Sequence, residues 1–298
     1  MPKAHLALIV GRGALPRAVA EVQETSPLVC ALEGHDPDQL GVDIRFRIEH
    51  LGSLLEQLHE RGVAEVCFCG AITRPEIDPA QIDAATAPMV PVLAAAVAGG
   101  EDSALRAVLG LFEGAGFTVR AAHELAPKLL PKVGVLSTAQ PGPDVAGALP
   151  AAQAVSGAQG AADLGQACVV RAGRVIARED ARGTDAMLSD LVGGASTASL
   201  GDDPFGAMLD LAGEALDTAA DWLSGPDAPK RAGGFLFKAP KPGQDLRVDL
   251  PTIGPDTARL AARAGLDGIV IAAGGVMVLN LEDVRRTLDQ AGMFLWVH

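Results

Sequence analysis

"HLALIVGRGALPRAVAE", residues 5–21, is the stretch that decides the fold. His5–Val10 is an apolar run of strand length. Gly11 and Gly13 punctuate it, and from Ala14 to about Glu24 the residues suit a helix. Pro16 falls in the first turn, where a missing N–H costs nothing. A buried strand passing through a glycine turn into a helix opens a βαβ unit, and the following residues repeat the pattern. "LVCAL" (28–32) reads as a strand, "LGSLLEQLHERG" (51–62) as a helix and "AEVCFCGAI" (64–72) as a strand. The helix "SALRAVLGLFEGAG" (103–116) leads into the short strand "FTVRA". Short apolar runs separated by helices imply a parallel sheet with helices on its faces.

Beyond this region the character of the chain changes. "LLPKVGVLSTAQPGPD" (129–144) carries prolines and glycines without periodicity, as an interdomain linker does. An Ala/Gly/Gln-rich helix to Gly165 follows, then paired strands "QACVVRAG" and "RVIARE" with a turn between them. "GTDAMLSDL" (183–191) opens a helix with Thr184 or Asp185 as its cap. The stretch "DPFGAMLDLAGEALDTAADWLSG" reads as a long surface helix. "GGFLFKA" is a strand, "PDTARLAARAG" a helix, "DGIVIAAGGVMVLN" two strands and "LEDVRRTLDQAG" a closing helix. The expected architecture is α/β in two domains. Residues 1–133 form a Rossmann-like parallel sheet with helices, and residues 134–298 a mixed α/β catalytic domain, with the ligand in the cleft between them.

The bulk properties agree. A chain of 298 residues, 49% hydrophobic and 20% charged, is globular and long enough for two domains. Its net charge of −13 excludes a general nucleic-acid binder, which needs a basic field. Cys30, Cys67, Cys69 and Cys168 have neither zinc spacing nor a disulfide framework and read as small buried hydrophobes. No apolar run approaches the roughly 20 residues that span a bilayer, and no leader pattern opens the chain, so a cytoplasmic protein, at most peripheral to a membrane, is expected. The six histidines, His123 among them, form no metal-binding pair and read as structural or exposed.

Chemistry concentrates in four places. The turn Gly11, Arg12, Gly13 before a helix suits an anion, because unpaired amides point outward there. With Glu33 about 20 residues on, it half-matches the dinucleotide fingerprint, but Pro16 replaces the third glycine. That favours a phosphate or nucleotide contact over NAD, with a ligand-free tight turn as the competing reading. "CGAITRPEI" (69–77) offers Arg74 at the carboxyl end of a strand. Thr184 and Asp185 are a plain helix cap or a phosphate contact. The fourth place is "FKAPKPGQDLRVDLP" (237–251), where Lys238, Lys241 and Arg247 alternate with Gln244, Asp245 and Asp249 on a backbone stiffened by prolines. Cations interleaved with carboxylates suit a polyanion carrying a divalent cation, which is what pyrophosphate chemistry requires. A solvated loop with internal salt bridges is the alternative.

"LALIVGRGALPRAVAE", "GTDAML" and above all "KAPKPGQDLRVDLPTIGPDT" resemble the LpxI-type UDP-2,3-diacylglucosamine pyrophosphatases of lipid A synthesis, from about Leu6 to Leu295. The resemblance implies Mg²⁺-dependent hydrolysis of UDP-2,3-diacylglucosamine to UMP and 2,3-diacylglucosamine 1-phosphate (lipid X). Its expected catalytic residues are Asp245, Asp249 and Lys238, with Asp245 and Asp249 at the metal and Asp245 the essential carboxylate. Gly11, Arg12, Gly13, Arg74, Thr184, Asp185, Lys241, Gln244 and Arg247 are expected to hold the lipid-linked nucleotide-sugar. Contact with the cytoplasmic face of the inner membrane follows from that substrate, and a homodimer is the default oligomer. The stretch 193–228 fits the family pattern poorly and reads as an insertion. An NAD(P)-dependent oxidoreductase and a non-catalytic nucleotide-sugar-binding protein are the rival classes.

Overall fold

A computed structural model describes residues 5–73, 76–98, 101–193 and 232–298. Arg74 and the helix expected over 203–225 lie outside the described residues. The chain divides into two compact units, and the division is not a single cut. The first unit holds Met1–Pro131, Gly243–Thr252 and Met277–Leu279, and the second holds the remainder.

The first unit is built on five parallel strands: β1 (Leu6–Val10), β2 (Leu28–Leu32), β3 (Ile44–Phe46), β4 (Glu65–Cys69) and β5 (Thr118–Arg120). Their order is β3-β2-β1-β4-β5. Helices α1 (Leu15–Ala20), α2 (Leu51–Glu60), α3 (Val90–Ala98), α4 (Glu101–Gly114) and α5 (Ala122–Leu125) accompany it. Residues of β1, β2 and β4 alternate between two apolar layers. Ala7, Ile9, Cys30 and Phe68 pack with α2 and α4, while Leu8, Val10, Cys67 and Cys69 pack with α1 and α5. A strand buried on both faces reads as an unbroken apolar run, as β1 does. All four cysteines are buried. Burial pushes the thiols of Cys30 and Cys168 up to about 12, so they act as packing groups. The sequence reading missed β3, three residues long, and α3, whose "VPVLAAAVA" has no polar face to mark it.

The strand order reverses between β1 and β4, the place where open α/β sheets take ligands. Here the two strand ends close on each other instead. Gly11 N–H donates to the Cys69 carbonyl at 2.9 Å, and Arg12 and Ala71 exchange bonds of 2.8 and 2.9 Å. Glycine is required on both sides. A Cβ on Gly11 would lie 2.4 Å from the Ala71 oxygen, and one on Gly70, at φ +96°, would lie 2.6 Å from the Gly11 oxygen.

A second constraint ties the turn before α2 to the segment after β4. Glu49, 2% exposed, accepts from Arg47 at 2.9 Å and from the Asp78 amide at 2.9 Å. The Arg47 bond outweighs burial and holds this carboxyl at about 2, against an ordinary 4.5.

The second unit carries β6 (Gly134–Val135), α6 (Pro143–Ala161), β7 (Ala167–Arg171), β8 (Arg174–Arg178), α7 (Thr184–Val192) and β9 (Phe235–Lys238). After the loop come β10 (Thr252–Ile253), with one residue counted in each unit, α8 (Pro255–Arg263), β11 (Gly268–Ile271), β12 (Met277–Val278), which belongs to the first unit, α9 (Leu281–Gln290) and β13 (Phe294–Val297). β10 and β12 pair with each other, and the six-stranded sheet runs β6-β13-β11-β9-β7-β8. β9, β11 and β13 are parallel, whereas β6, β7 and β8 join antiparallel. The expected mixed sheet is therefore present. The cap expected of Thr184 or Asp185 is not. Gly183 is the N-cap of α7, at φ 89°, and no side chain caps it.

Gly70→Ala is expected to cost about 2–4 kcal/mol in urea unfolding, from positive φ and overlap with backbone together. Gly110→Ala, in α4 with nothing near its Cβ, should instead gain about 0.5–1 kcal/mol. Glu49 has a depressed folded-state pKa, so its contribution is complete above about 4.5 and lost as pH falls through about 2. Glu49→Gln should cost about 2 kcal/mol at pH 7, reduced because Arg47 is partly solvated, and almost nothing at pH 2.

Candidate active site

The 237–251 segment was expected to work as one clamp, and the structure divides it. Lys238 and Lys241 belong to the second unit; Gln244, Asp245, Arg247 and Asp249 belong to the first.

In the first unit, residues 243–249 fold as tight turns against α4. The Asp245 carbonyl accepts from the amides of Val248 and Asp249 at 3.1 and 3.0 Å. Its side chain accepts from the Arg247 amide at 3.1 Å and from the Arg247 guanidinium at 2.7 and 3.0 Å. Arg247 also reaches Glu113 of α4 at 2.6 Å, and Arg106 of α4 donates to the Gly243 carbonyl at 3.3 Å. The loop is thereby fastened to α4 at two points. The Arg247 bond holds the Asp245 carboxyl below the usual carboxylate range, and the charge of Arg106 adds to this.

Arg106, His123, Glu124 and Gly243–Arg247 line an open cleft of about 510 Å³ in this unit. Glu124 is engaged by Arg120 at 3.1 Å. His123 has its Nδ1 buried and without a hydrogen-bond partner among the described residues. Arg106 and His123 carried no motif; their position is visible only once α4 and α5 flank the 243–247 turn. Asp249 is half-buried, and no hydrogen bond reaches its carboxylate from the described residues.

In the second unit Lys238 closes β9 and is buried, 6% exposed. Its ammonium donates to Thr184 Oγ1 at 2.7 Å, and Thr184 in turn donates to Glu179 at 2.8 Å. Asp185 accepts from Thr257 at 2.9 Å. Lys241 pairs with Asp163 at 2.6 Å. Glu179, absent from the motif reading, is the carboxylate that organises this group.

In the glycine turn expected to hold phosphate, two amides already have partners. The amides of Gly11 and Arg12 bond to the β4 end, and the Arg12 guanidinium donates to the Gly34 carbonyl at 2.9 Å. An NAD pyrophosphate would need that backbone free, so the oxidoreductase reading loses its main support.

Because Asp245 is ionised well below neutrality, the Asp245–Arg247 pair is whole at pH 7 and weakens as pH falls through its depressed pKa. Both groups are partly exposed, so Arg247→Ala should lower stability by about 1 kcal/mol at pH 7 and by less at pH 3, in thermal melts.

Comparison with known proteins covers both units. Residues 5–129 match the LpxI N-terminal domain and residues 132–296 the LpxI C-terminal domain. The UDP-2,3-diacylglucosamine pyrophosphatase LpxI of Caulobacter vibrioides is 35% identical over 297 residues, covering 97% of this chain and 96% of its own. The chain belongs to the LpxI family.

Proposed function

We propose that this protein hydrolyses the pyrophosphate bond of UDP-2,3-diacylglucosamine, giving UMP and 2,3-diacylglucosamine 1-phosphate in lipid A biosynthesis. The observation that carries the proposal is full-length similarity to a relative with that activity in its name. Carboxylates set among cations, with Asp245 between Lys241 and Arg247 and Asp249 two residues beyond, suit a reaction on a polyanion better than binding alone.

The arrangement divides the labour among the residues expected from the sequence. Asp245 has both oxygens occupied by Arg247, so its work is to hold that guanidinium and the turn it belongs to. Asp249 is the carboxylate left accessible to a metal or to water, and the essential role moves to it. Arg106 and Arg247 give the cleft fixed positive charge, which stabilises phosphoryl oxygens as charge builds on the departing phosphate. Gln244 and His123 add polar groups to the same walls. Lys238 and Thr184 are bonded to each other within the second unit, where Lys241 and Asp185 also have their partners.

Among the described residues no cluster of three metal-ligating side chains exists. Asp245 and Asp249 suit Mg²⁺ arriving with the substrate, because Mg²⁺ takes one or two carboxylates and completes its shell with phosphate oxygens and water. Asp249 would hold it, with Asp245 as second ligand where Arg247 yields. When bound, Mg²⁺ supplies charge neutralisation at the phosphoryl oxygens. No helix among the described residues is long and apolar enough to cross a membrane. The two acyl chains of the substrate call for peripheral contact with the cytoplasmic face of the inner membrane.

UMP release from UDP-2,3-diacylglucosamine, with Mg²⁺ and with EDTA, tests the reading. Metal-dependent release is expected from the wild type. Asp249→Asn should lose about a hundredfold or more in rate, some 3 kcal/mol of transition-state stabilisation. Asp245→Asn should lose about tenfold through a loosened Arg247. The reverse ranking would return the essential role to Asp245, and absence of UMP would sink the hydrolase reading.

A further inference from the structure

Glu179 lies just beyond β8 in the second unit and is 8% exposed. Its two oxygens each take one donor. Oε1 accepts the Thr184 hydroxyl at 2.8 Å, and Oε2 accepts the backbone N–H of Gln166 at 2.7 Å. Thr184 Oγ1, its proton committed, accepts from the Lys238 ammonium at 2.7 Å. The direction of this chain is forced. An ammonium only donates, an ionised carboxylate only accepts, and a hydroxyl gives one proton while accepting others. Backbone contacts hold Glu179 in place. Its N–H donates to the Ala167 carbonyl at 2.9 Å, and Gly165 packs so closely that a Cβ there would lie 2.5 Å from the Glu179 oxygen.

We propose that Glu179 is a positioning residue for the hydrolysis: by holding the Thr184 proton it turns the hydroxyl's lone pair toward Lys238 and fixes that ammonium at the carboxyl end of β9, where the 239–251 segment begins. The role rests on the pyrophosphatase reading above. A glutamine of the same shape cannot replace it. With its amide oxygen toward Thr184, the amide nitrogen meets the Gln166 N–H. Reversed, the nitrogen meets the Thr184 hydroxyl, turns it over and aims a proton at Lys238. Either orientation sets donor against donor, and a buried donor left unmatched is costly. Packing alone would be served as well by apolar side chains of similar volume, which bury without a desolvation penalty. Two charged groups joined through one hydroxyl, at the point where the charged loop starts, answer a need for a fixed positive charge.

Steady-state UMP release for Glu179→Gln, Thr184→Val, Thr184→Ser and the double variant E179Q/T184V, beside melting curves, tests this role. Glu179→Gln is expected to lower kcat by about tenfold or more with KM changed less than about threefold, since positioning acts on the reacting state. Thr184→Val should match it, and Thr184→Ser, which keeps the hydroxyl, should recover most of that loss. The double variant should be no slower than Thr184→Val alone, because groups acting as one unit are not additive. A folded Glu179→Gln variant with wild-type kcat would overturn the role, as would losses that multiply in the double variant. If Glu179→Gln does not fold, the Thr184 pair decides, and wild-type kcat in Thr184→Val overturns the proposal. Variants are read as ratios to the wild type, so failure of the relay differs from failure of the hydrolase reading, in which the wild type itself releases no UMP and this role falls with it.

Discussion

The backbone pairing of Arg12 with Ala71 governs what the first unit can do. It occupies the gap at the carboxyl ends of β1 and β4, where a parallel sheet of this order ordinarily admits a ligand. Two glycines make the approach sterically feasible, and the amides of Gly11 and Arg12 are used in it. His35 reinforces the closure from the side, bonded through Nδ1 to the Glu33 carbonyl at 3.0 Å and through Nε2 to Thr73 at 2.9 Å. With that opening closed, the charged cleft of the unit forms elsewhere, between α4, α5 and the returning 243–249 turn.

That turn depends on a second feature, the chain's return to the first unit after Pro242. Pro240 and Pro242 break β9's continuation, since proline supplies no ladder donor, and the chain leaves the sheet. Asp245 then gathers its own turn by accepting from Val248, Asp249 and Arg247, while Arg247 and Arg106 tie the result to α4. The interleaved charges thus divide into those that build the loop and those that face its surroundings. Asp245 and Arg247 are largely of the first kind, and Asp249 is of the second.

Among the described residues the buried carboxylates of both units follow one rule: each has its acceptors filled by donors. Glu49 takes Arg47 and an amide; Glu179 takes a hydroxyl and an amide. Such sites are intolerant of isosteric amides, which distinguishes them from surface pairs such as Arg285–Glu282, where solvent makes good any loss. They are also the sites sequence reasoning passed over. Neither Glu49 nor Glu179 stood among the motifs singled out, and a glutamate beside arginines in a sequence looks solvated until its neighbours are known.

The sequence by itself determined the α/β class, the parallel character of the first sheet, the buried state of the cysteines and the segment where charge concentrates. These are matters of local periodicity and composition, and neighbouring residues carry them. It also marked Gly11 and Gly13 as special, because glycine reports a backbone requirement directly. What it could not show was the use of that requirement, since close approach to a phosphate and close approach to another strand ask for the same residue. The filling of the β1–β4 gap, the split of Lys238 and Lys241 from Asp245 and Arg247, the place of His123 in the cleft and the one-way chain from Lys238 to Glu179 were decided by tertiary structure alone. Each depends on residues tens of positions apart meeting within hydrogen-bond distance, and no local pattern encodes such a meeting.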